Sequence, residues 1–334
     1  LMKAPRYLAK SFALILIGVM LCAGAPRLLA EAKPLKCEDI KSIRILGANN
    51  TPVKVLVVLT RMTQNLNFVA QLVKIVAVIH EQDRLTPEES FKVMVFPSDN
   101  EYYAALLKEV GPTIAKRFIE KGDAYPQGDV WMQDWGEVAM VQTKQDSHPQ
   151  LMILDSNRGQ ELAALPKLLA KFWNAYYLKN PSKVIAGGDN GGNIEVTPDD
   201  ILILGNTATE EFQKFLQRRG YKDRIALVDT SCLVVGHCDE YLSVVPNDRA
   251  KEGFTIIKAD TRLALELLRN TPRKELEALP EKLYPLTYQL VHDTLQGGNA
   301  SPAYIDEGPN SKVEIRNFIR QNNALGTVID DNVT

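Results

Sequence analysis

The stretch Lys54–Thr60, KVLVVLT, decides the fold class. Its core is a short apolar run rich in β-branched residues, which is typical of a strand buried on both faces. Residues 64–81 follow with apolar positions at helical spacing, and Lys92–Phe96 (KVMVF) is a second buried strand. The order strand, helix, strand predicts an α/β protein.

The same pattern continues along the chain, with short connections rich in Gly, Pro, Asn and Asp. Helices are predicted over 101–120, 160–177 and near 208–219, and the region from 260 onward reads as mainly helical with breaks at Pro272 and Pro280. Further strands are predicted at Glu137–Gln142, Leu151–Leu154, Ile194–Val196, Ile201–Leu204, Ile225–Val228 and Tyr241–Val245. The loose recurrence of strand–helix–strand modules fits a doubly wound sheet or a pseudo-symmetric propeller, within one large domain over 51–334.

Composition narrows the class of protein. The 334 residues carry 39 Lys and Arg against 41 Asp and Glu, a formal net charge of −2. This balance excludes the strong positive field of a general nucleic-acid binder. Hydrophobic residues make up 45% and charged residues 24%, which excludes disordered, collagen-like and coiled-coil chains.

The first 32 residues read as a secretory signal peptide. Basic residues come first, the apolar run Phe12–Cys22 follows, and Ala30-Glu31-Ala32 fits the cleavage pattern. The alternative is a membrane anchor, but the run is shorter than the ~20 residues that a span needs. We therefore expect a secreted or periplasmic protein with no stable membrane insertion, in which 33–50 is a polar lead segment.

Three segments are too polar for their apolar surroundings. One is Val234–Tyr241, VVGHCDEY, which has strand-like sequence on both sides. In an extended segment His237 and Asp239 would share one face, with Cys238 on the other. A carboxylate beside a histidine can prepare the imidazole for general acid–base work, although a hydrogen-bonded structural histidine is the simpler alternative.

The other two segments are WMQDWGE, 131–137, and GGDNGGNIE, 187–195. A tryptophan three residues from Asp134 suits a flat cation, which the carboxylate pairs while the ring stacks on it; a core tryptophan and a turn aspartate are the alternative. The glycine-rich segment does not match a phosphate-binding loop. Its free backbone carbonyls and the carboxylate of Glu195 are the ligands that calcium takes.

Together WMQDWGE, GGNIEVTP and VGHCDEYLSVVP resemble the catalytic domain of the protein-arginine deiminases, a calcium-dependent family, over roughly 51–334. The resemblance implies the pentein fold, a five-bladed α/β propeller. It also implies hydrolysis of peptidyl arginine to citrulline and ammonia through a cysteine thiouronium intermediate. By resemblance, Asp134 and Asp239 would hold the guanidinium, and His237 would be the general acid and base.

The resemblance also implies the substrate and calcium contacts. Trp131 and Val235 match residues that line the substrate side chain, and Arg158 matches an arginine that binds the substrate backbone. The implied calcium ligands are two backbone carbonyls and three side chains, namely Gly191, Ile194, Gln133, Glu137 and Glu195. A second nearby calcium is not expected, because Trp135 stands where the family has an acid.

One departure from the family concerns the nucleophile. The family's cysteine lies in a His-Cys-Gly type motif near the C-terminus, and the sequence contains no such motif. We expect a fragment of a longer product, with an incomplete propeller and no normal activity as written. The alternatives are a deiminase of a small guanidine such as agmatine and a non-catalytic guanidinium-binding protein.

Overall fold

The computed structural model describes residues 31–47, 53–60, 65–86, 90–125, 131–159, 162–231, 233, 235–279, 291–293 and 295–296, with the backbone of 304–308 and 311–314. The predicted signal peptide up to residue 30, the cysteine at 232 and the predicted break at Pro280 lie outside these residues. The described residues from Ala32 onward belong to one compact unit.

The elements alternate as the sequence predicts. The strands are Lys33–Pro34 (β1), Ile40–Ile45 (β2), Val55–Leu59 (β3), Lys92–Phe96 (β4), Ile119–Lys121 (β5), Gly136–Thr143 (β6), Gln150–Asp155 (β7), Tyr176–Lys179 (β8), Ile194–Val196 (β9), Leu202–Gly205 (β10), Ile225–Val228 (β11), Leu242–Pro246 (β12), Phe254–Lys258 (β13), Tyr304–Gly308 (β14) and Ser311–Glu314 (β15). The helices are Leu66–Gln82 (α1), Asn100–Val110 (α2), Pro112–Phe118 (α3), Leu165–Phe172 (α4), Glu210–Leu216 (α5), Thr261–Asn270 (α6) and Arg273–Glu277 (α7).

The opening strand–helix–strand unit forms a parallel sheet, β3-β4-β5. Helix α1 connects β3 to β4, and its buried face packs in one core with α2 and α3. The single helix expected over 101–120 is wrong, because Gly111 takes a φ of +89° and breaks it. Pro112, whose fixed φ suits a first helical turn, then starts α3.

The second sheet has the order β1-β8-β7-β6-β2. Its outer strands β1 and β2 come from the segment expected as a lead, so the described residues 33–45 take part in the sheet. The helix expected over 160–177 is also wrong at its end. Asn174 takes a φ of +53°, and the following Tyr176–Lys179 pairs as a parallel strand with β7.

A module of hairpin, helix and parallel strand recurs. In β6-β7-α4-β8 and in β9-β10-α5-β11, an antiparallel pair is followed by a helix and a parallel third strand. A third hairpin, β12-β13, leads into α6. These mixed sheets contradict the doubly wound alternative, which needs one continuous, mostly parallel sheet.

The region beyond 260 differs from its expectation in part. Helices α6 and α7 are separated at Pro272 as expected, but β14 and β15 form an antiparallel pair further on. Mixed α/β architecture is confirmed, while closure of the sheets into five blades stays a prediction. None of the helices in the described part of the chain is both long and apolar enough to cross a bilayer.

Candidate active site

Three short 3-10 turns carry the polar segments, and each turn opens a hairpin. Met132–Trp135 leads into β6, Gly191–Asn193 leads into β9, and Cys238–Glu240 leads into β12. The turn Gly191–Asn193 contacts both of the other turns.

The three predicted catalytic residues converge on one backbone position, Gly192. An ideal Cβ placed on Gly192 would lie 2.7 Å from His237 Nδ1, 2.8 Å from Asp239 Oδ2 and 2.9 Å from Asp134 Oδ1. Because Gly192 has no side chain, two carboxylates and an imidazole can converge on the place that its Cβ would occupy. The structure thus brings Asp134, His237 and Asp239 together.

Asp134 is the most deeply anchored acid of the cluster, with 6% of its surface exposed. Its backbone carbonyl accepts a hydrogen bond from Ser156 Oγ at 2.6 Å. Its carboxylate has two partners: Oδ1 lies 3.5 Å from His237 Nδ1, and Oδ2 forms an ion pair with Arg158 Nη1. A buried carboxylate needs such partners, because an unpaired one is strongly destabilising.

His237 has its two ring nitrogens in different environments. Nε2 lies 2.9 Å from the carbonyl oxygen of Gly187. A carbonyl only accepts, so Nε2 carries the hydrogen, and in the neutral ring Nδ1 has the lone pair. Nδ1 faces Asp134 and the Cα of Gly192. The nitrogen available for proton transfer is therefore Nδ1.

Asp239 is the solvent-exposed member of the cluster. Burial of its carboxyl group raises its pKa above the usual value. The positive charge of His237 lowers this pKa, and the charge of Glu240 raises it. The strand expected on both sides is wrong on the N-terminal side. Gly236 takes a φ of +84°, and Cys238–Glu240 forms a turn in which Glu240 Oε1 accepts the backbone N–H of His237.

Cys238 is not placed to act as a nucleophile. It is fully buried, and its thiol donates to the carbonyl oxygen of Gly192 across 3.6 Å. Burial raises its thiol pKa well above the usual value, and the nearby carboxylates of Glu195 and Asp239 raise it further. A thiol held in its protonated form is a weak nucleophile.

The predicted substrate-binding residues lie in different settings. Trp131 and Val235 are exposed by 67% and 57%, next in sequence to the turns that hold Asp134 and His237. Arg158 instead reaches into the cluster and pairs with Asp134.

The predicted calcium ligands lie around Gly191. An ideal Cβ there would meet the backbone carbonyls of Gln133 and Gly136, and would lie 2.9 Å from Glu137 Oε1. The Gln133 side chain donates to the Gly191 carbonyl across 3.4 Å. Ile194 and Glu195 follow in β9, both buried. The structure thus gathers oxygen atoms of the type that calcium prefers.

The carboxylates of Glu137 and Glu195 are buried close to one another at this place. Glu137 Oε1 is buried without a hydrogen-bond partner. Burial and the charge of Glu195 raise the pKa of Glu137 well above its usual value, and burial and Asp239 raise the pKa of Glu195 to about 7. A divalent cation would relieve both. Within the described residues no three His, Cys, Asp or Glu side chains are grouped to hold a metal, so carbonyl oxygens would have to complete the site.

Sequence reasoning did not single out the residues that assemble the site. Asn193 is fully buried; its amide donates to the Gly188 carbonyl at 2.8 Å, and its Oδ1 accepts the backbone N–H of Cys238 at 3.1 Å. It thereby ties the glycine-rich turn to the His237 turn. Gly192 and the Gly187 carbonyl act through their backbones, and a run of glycines carries no signal of which one does so.

Comparisons with known proteins point in one direction. A family model described as "Protein-arginine deiminase (PAD)" matches residues 73–332. Protein-arginine deiminase type-3 of Rattus norvegicus is 28% identical over 163 residues, which are 43% of this chain and 24% of that protein. Protein-arginine deiminase type-4 of Mus musculus is 28% identical over 208 residues, 55% of this chain and 30% of that protein.

The matched part of the chain therefore covers 24% and 30% of the length of these two curated relatives. Among solved structures, a C. jejuni agmatine deiminase overlaps with a TM-score of 0.37 at 13% identity, covering 56% of each chain. A putative agmatine deiminase overlaps with a TM-score of 0.46 at 13% identity, covering 73% of this chain and 72% of the other.

Proposed function

Since the chain belongs to the protein-arginine deiminase family, we propose that its site binds the guanidinium of peptidyl arginine for hydrolysis to citrulline and ammonia. One observation carries the proposal: two carboxylates and an imidazole converge on the place that a Cβ of Gly192 would occupy. A planar cation with N–H groups along its edges fits between carboxylates. A phosphate or carboxylate ligand would be repelled by the same groups.

The two aspartates have complementary tasks in this proposal. Asp134 is buried and fixed by Ser156, so it can hold one edge of the guanidinium in a defined orientation. Asp239 is nearer solvent and meets the other edge. Charge-assisted hydrogen bonds of this kind contribute about 1.5–3 kcal/mol each. Together they offset the removal of the cation from water.

His237 would move protons through Nδ1, since Nε2 is engaged with the Gly187 carbonyl. In the proposed reaction a thiolate attacks the guanidinium carbon and forms a C–S bond. The C–N bond then breaks, and the departing nitrogen takes the proton of His237 and leaves as ammonia. His237 next accepts a proton from water, the oxygen of which attacks the carbon, and the C–S bond breaks to give citrulline.

The thiolate itself is the part that Cys37 and Cys238 do not provide. Both lie in surroundings that raise the thiol pKa, in each case chiefly by burial. In this proposal Asp134, Asp239 and His237 supply binding and proton transfer. In the same proposal the thiolate comes from the cysteine that the family motif implies, and guanidinium binding without turnover is the second candidate function.

Calcium would be held by Gln133, Glu137 and Glu195 with the carbonyls of Gly191 and Ile194. When bound, it would supply positive charge that neutralises the two glutamates and stiffens the turns. The orphaned Glu137 Oε1 supports this assignment. The signal-like N-terminal sequence supports action outside the cytoplasm.

The test is calorimetric titration of the full chain with the peptide acetyl-Gly-Arg-Gly-amide. Asp134→Asn and Asp239→Asn should each raise Kd about tenfold or more, the equivalent of one charge-assisted hydrogen bond. Asp200→Asn is the matched control, because Asp200 also pairs with arginine but on the surface with Arg44. Equal affinities for this peptide and its citrulline counterpart would disprove guanidinium recognition.

A colorimetric citrulline assay on the same samples separates the two candidate functions. Turnover that depends on His237 would support the deiminase. Tight binding with no citrulline formed would support the non-catalytic guanidinium-binding protein.

A further inference from the structure

The carbonyl oxygen that meets the ring of His237 belongs to a turn that also contains a buried carboxylate. The turn Gly187–Asp189 opens the glycine-rich segment, and its Gly187 oxygen lies 2.9 Å from His237 Nε2. Asp189, two residues further on, is only 2% exposed. The proposed reaction assigns no task to this side chain, although it stands in the turn that contacts the proton-transferring histidine.

The carboxylate of Asp189 is bound to the connection between β10 and α5. Its Oδ1 accepts the backbone N–H of Thr209 at 2.7 Å, and its Oδ2 accepts the Thr209 hydroxyl at 2.8 Å and Asn180 Nδ2 at 3.3 Å. Three donors on two oxygens suit an ionised carboxylate, which only accepts. Thr209 is also the N-cap of α5, where its hydroxyl oxygen accepts the backbone N–H of Phe212. The Gly187 turn is therefore anchored to the start of a helix.

The same connection also holds the backbone beside His237. Thr207 Oγ1 donates to the carbonyl oxygen of Gly236, the residue before His237, at 2.7 Å. The Gly187 turn packs closely here, because an ideal Cβ on Gly188 would lie 2.0 Å from the Thr207 carbonyl oxygen. Residues 207–209 therefore position both the histidine and the carbonyl oxygen that its ring contacts.

Two acceptors compete for the single ring hydrogen of neutral His237. The Gly187 carbonyl oxygen lies 2.9 Å from Nε2, whereas Asp134 Oδ1 lies 3.5 Å from Nδ1. The first distance is within the ordinary range of a hydrogen bond and the second is beyond it. A carboxylate is the stronger acceptor at equal distance. A small displacement of the Gly187 turn would therefore favour the tautomer with hydrogen on Nδ1, which then has no lone pair to take a proton.

We propose that Asp189 is a positioning residue that keeps the hydrogen of neutral His237 on Nε2, because it anchors the Gly187 turn to Thr209. The hydrogen bond at one ring nitrogen decides the state of the other, so Nδ1 stays free to exchange protons. The proposal rests on the proposed function, because proton transfer through Nδ1 is a step of that reaction. Asp189 acts through the Gly187 carbonyl and takes no part in the bonds that form and break.

The experiment measures the tautomer of His237 by long-range proton–nitrogen correlation NMR on the full chain with isotope-labelled histidine. Spectra are recorded at alkaline pH, where the imidazole rings are neutral. The chain has four histidines, and His237→Gln identifies the signals of this one. Asp189→Asn should lower the ratio of the Nε2–H to the Nδ1–H tautomer about fivefold or more, the equivalent of one hydrogen bond. Thr209→Val removes the hydroxyl that donates to Asp189 and should lower the ratio as well.

Two controls separate positioning from a general loss of stability. Thr209→Ser keeps both the hydroxyl and the backbone N–H, so its tautomer ratio should equal that of the wild type. Tyr221→Phe removes a different buried hydrogen bond, in which the Tyr221 hydroxyl oxygen accepts the backbone N–H of Ile45 at 2.7 Å. This variant should lower the Tm without changing the tautomer ratio. Thermal melts report the folding of Asp189→Asn and Thr209→Val, and either variant alone suffices for the comparison.

Titration with acetyl-Gly-Arg-Gly-amide distinguishes failure of this proposal from failure of the proposed function. Asp134 and Asp239 are intact in Asp189→Asn, so the peptide Kd should stay within about threefold of the wild-type value, less than the effect of one hydrogen bond. An unchanged tautomer ratio in Asp189→Asn, with peptide binding that still depends on Asp134, would overturn the proposal and leave the proposed function standing.

Two further results would also overturn the positioning role. One is a wild-type ring with its hydrogen on Nδ1, and the other is an equal shift of the tautomer ratio in Tyr221→Phe. A wild type that does not distinguish the arginine peptide from its citrulline counterpart would remove the proposed function and this proposal together.

Discussion

A single methyl group at Gly192 should strongly weaken guanidinium binding while leaving the fold intact. Gly192→Ala places a carbon 2.7–2.9 Å from His237 Nδ1, Asp239 Oδ2 and Asp134 Oδ1. Ordinary contacts to such a carbon begin near 3.4 Å. All three groups must therefore retreat by about half an ångström or more, outward from the point they share.

The losses of stability and of affinity in Gly192→Ala depend on which groups have to move. The three atoms are the ends of side chains, so the fold can yield, and the free energy of unfolding should fall by about 1–2 kcal/mol, the low end of the range for overpacking. Charge-assisted hydrogen bonds need lengths near 2.7–2.9 Å. Weakening two such bonds costs about 3 kcal/mol or more, which is a rise in Kd of about 100-fold.

The assay is calorimetric titration with acetyl-Gly-Arg-Gly-amide, together with urea unfolding of the same preparations. Gly187→Ala is the matched control, because it lies in the same glycine-rich segment and its Cβ would meet nothing within 4 Å. Neither glycine has a positive φ, so alanine brings no backbone strain at either position. Gly187→Ala should change Kd by no more than about twofold and stability by less than about 0.5 kcal/mol.

Two results would refute this reasoning. Wild-type affinity in Gly192→Ala would mean that the guanidinium does not bind between the three groups. Equal losses of affinity in both alanine variants would mean that the glycine-rich segment acts through its flexibility and not through the space at Gly192.

Three further predictions concern the surroundings of the cluster. Calcium should raise the Tm of the wild type, by the equivalent of about 2.7 kcal/mol at 100 times Kd. Glu137→Gln should lose this shift, and the exposed control Glu210→Gln should keep it. Equal shifts in both variants would contradict the calcium site. Because burial raises the pKa of Asp239, its carboxylate gains a proton at a higher pH than an ordinary aspartate. The affinity for the arginine peptide should therefore fall as the pH is lowered through that raised pKa, and Asp239→Asn should flatten this part of the pH profile. Calorimetry between pH 4 and 7 measures the profile. A flat profile in the wild type would show that Asp239 does not control binding in this way. Tyr177→Phe removes the hydroxyl that donates to the buried Asp155 and should lower the free energy of unfolding by about 1–3 kcal/mol in urea titrations, whereas an unchanged midpoint would show that the bond is dispensable.

Short apolar strands were the part of the fold that sequence could predict. Lys92–Phe96, Ile194–Val196 and Ile225–Val228 match their predicted bounds, because each is a short apolar run between polar turns. The strand Ile40–Ile45 was not predicted. Its sequence, IKSIRI, lacks strict alternation, because the buried residues are Ile40, Ile43 and Ile45 and the register shifts between Ile40 and Ser42. It also stands in a segment that composition marks as polar.

Helix ends were the part that sequence could not predict. Apolar spacing continues across Val110 and Phe118, yet Gly111 breaks the helix and Ile119–Lys121 joins β4 as a strand. Helical spacing likewise runs past Phe172 into Tyr176–Lys179. In each case a parallel partner strand was available, and pairing with it outweighed the local helical pattern.

The candidate site likewise has features that the sequence predicts and features that it does not. Asp134, His237 and Asp239 could be named from motifs, since carboxylates and a histidine are conspicuous in apolar surroundings. The point at which they meet could not be predicted, because it lies at a glycine, which contributes no side chain. The ion pair of Arg158 with Asp134 also lay beyond the sequence, since the motif indicates which residues are present and not which of them pair before a ligand arrives.

The recurrence of one module explains how residues about a hundred positions apart in sequence lie next to one another in the structure. The turns that hold Asp134, Gly192 and His237 each stand immediately before the first strand of a hairpin, β6, β9 and β12. A hairpin fixes the direction of its first strand, and that strand fixes where its preceding turn ends. Modules of the same construction therefore place their opening turns in the same position relative to the hairpin. The functional groups in these turns can then lie close together, although the strands that follow the turns do not pair with one another. The sequence lacks a fixed repeat period because the modules differ in helix and loop length, whereas the place of the functional turn within each module is the same.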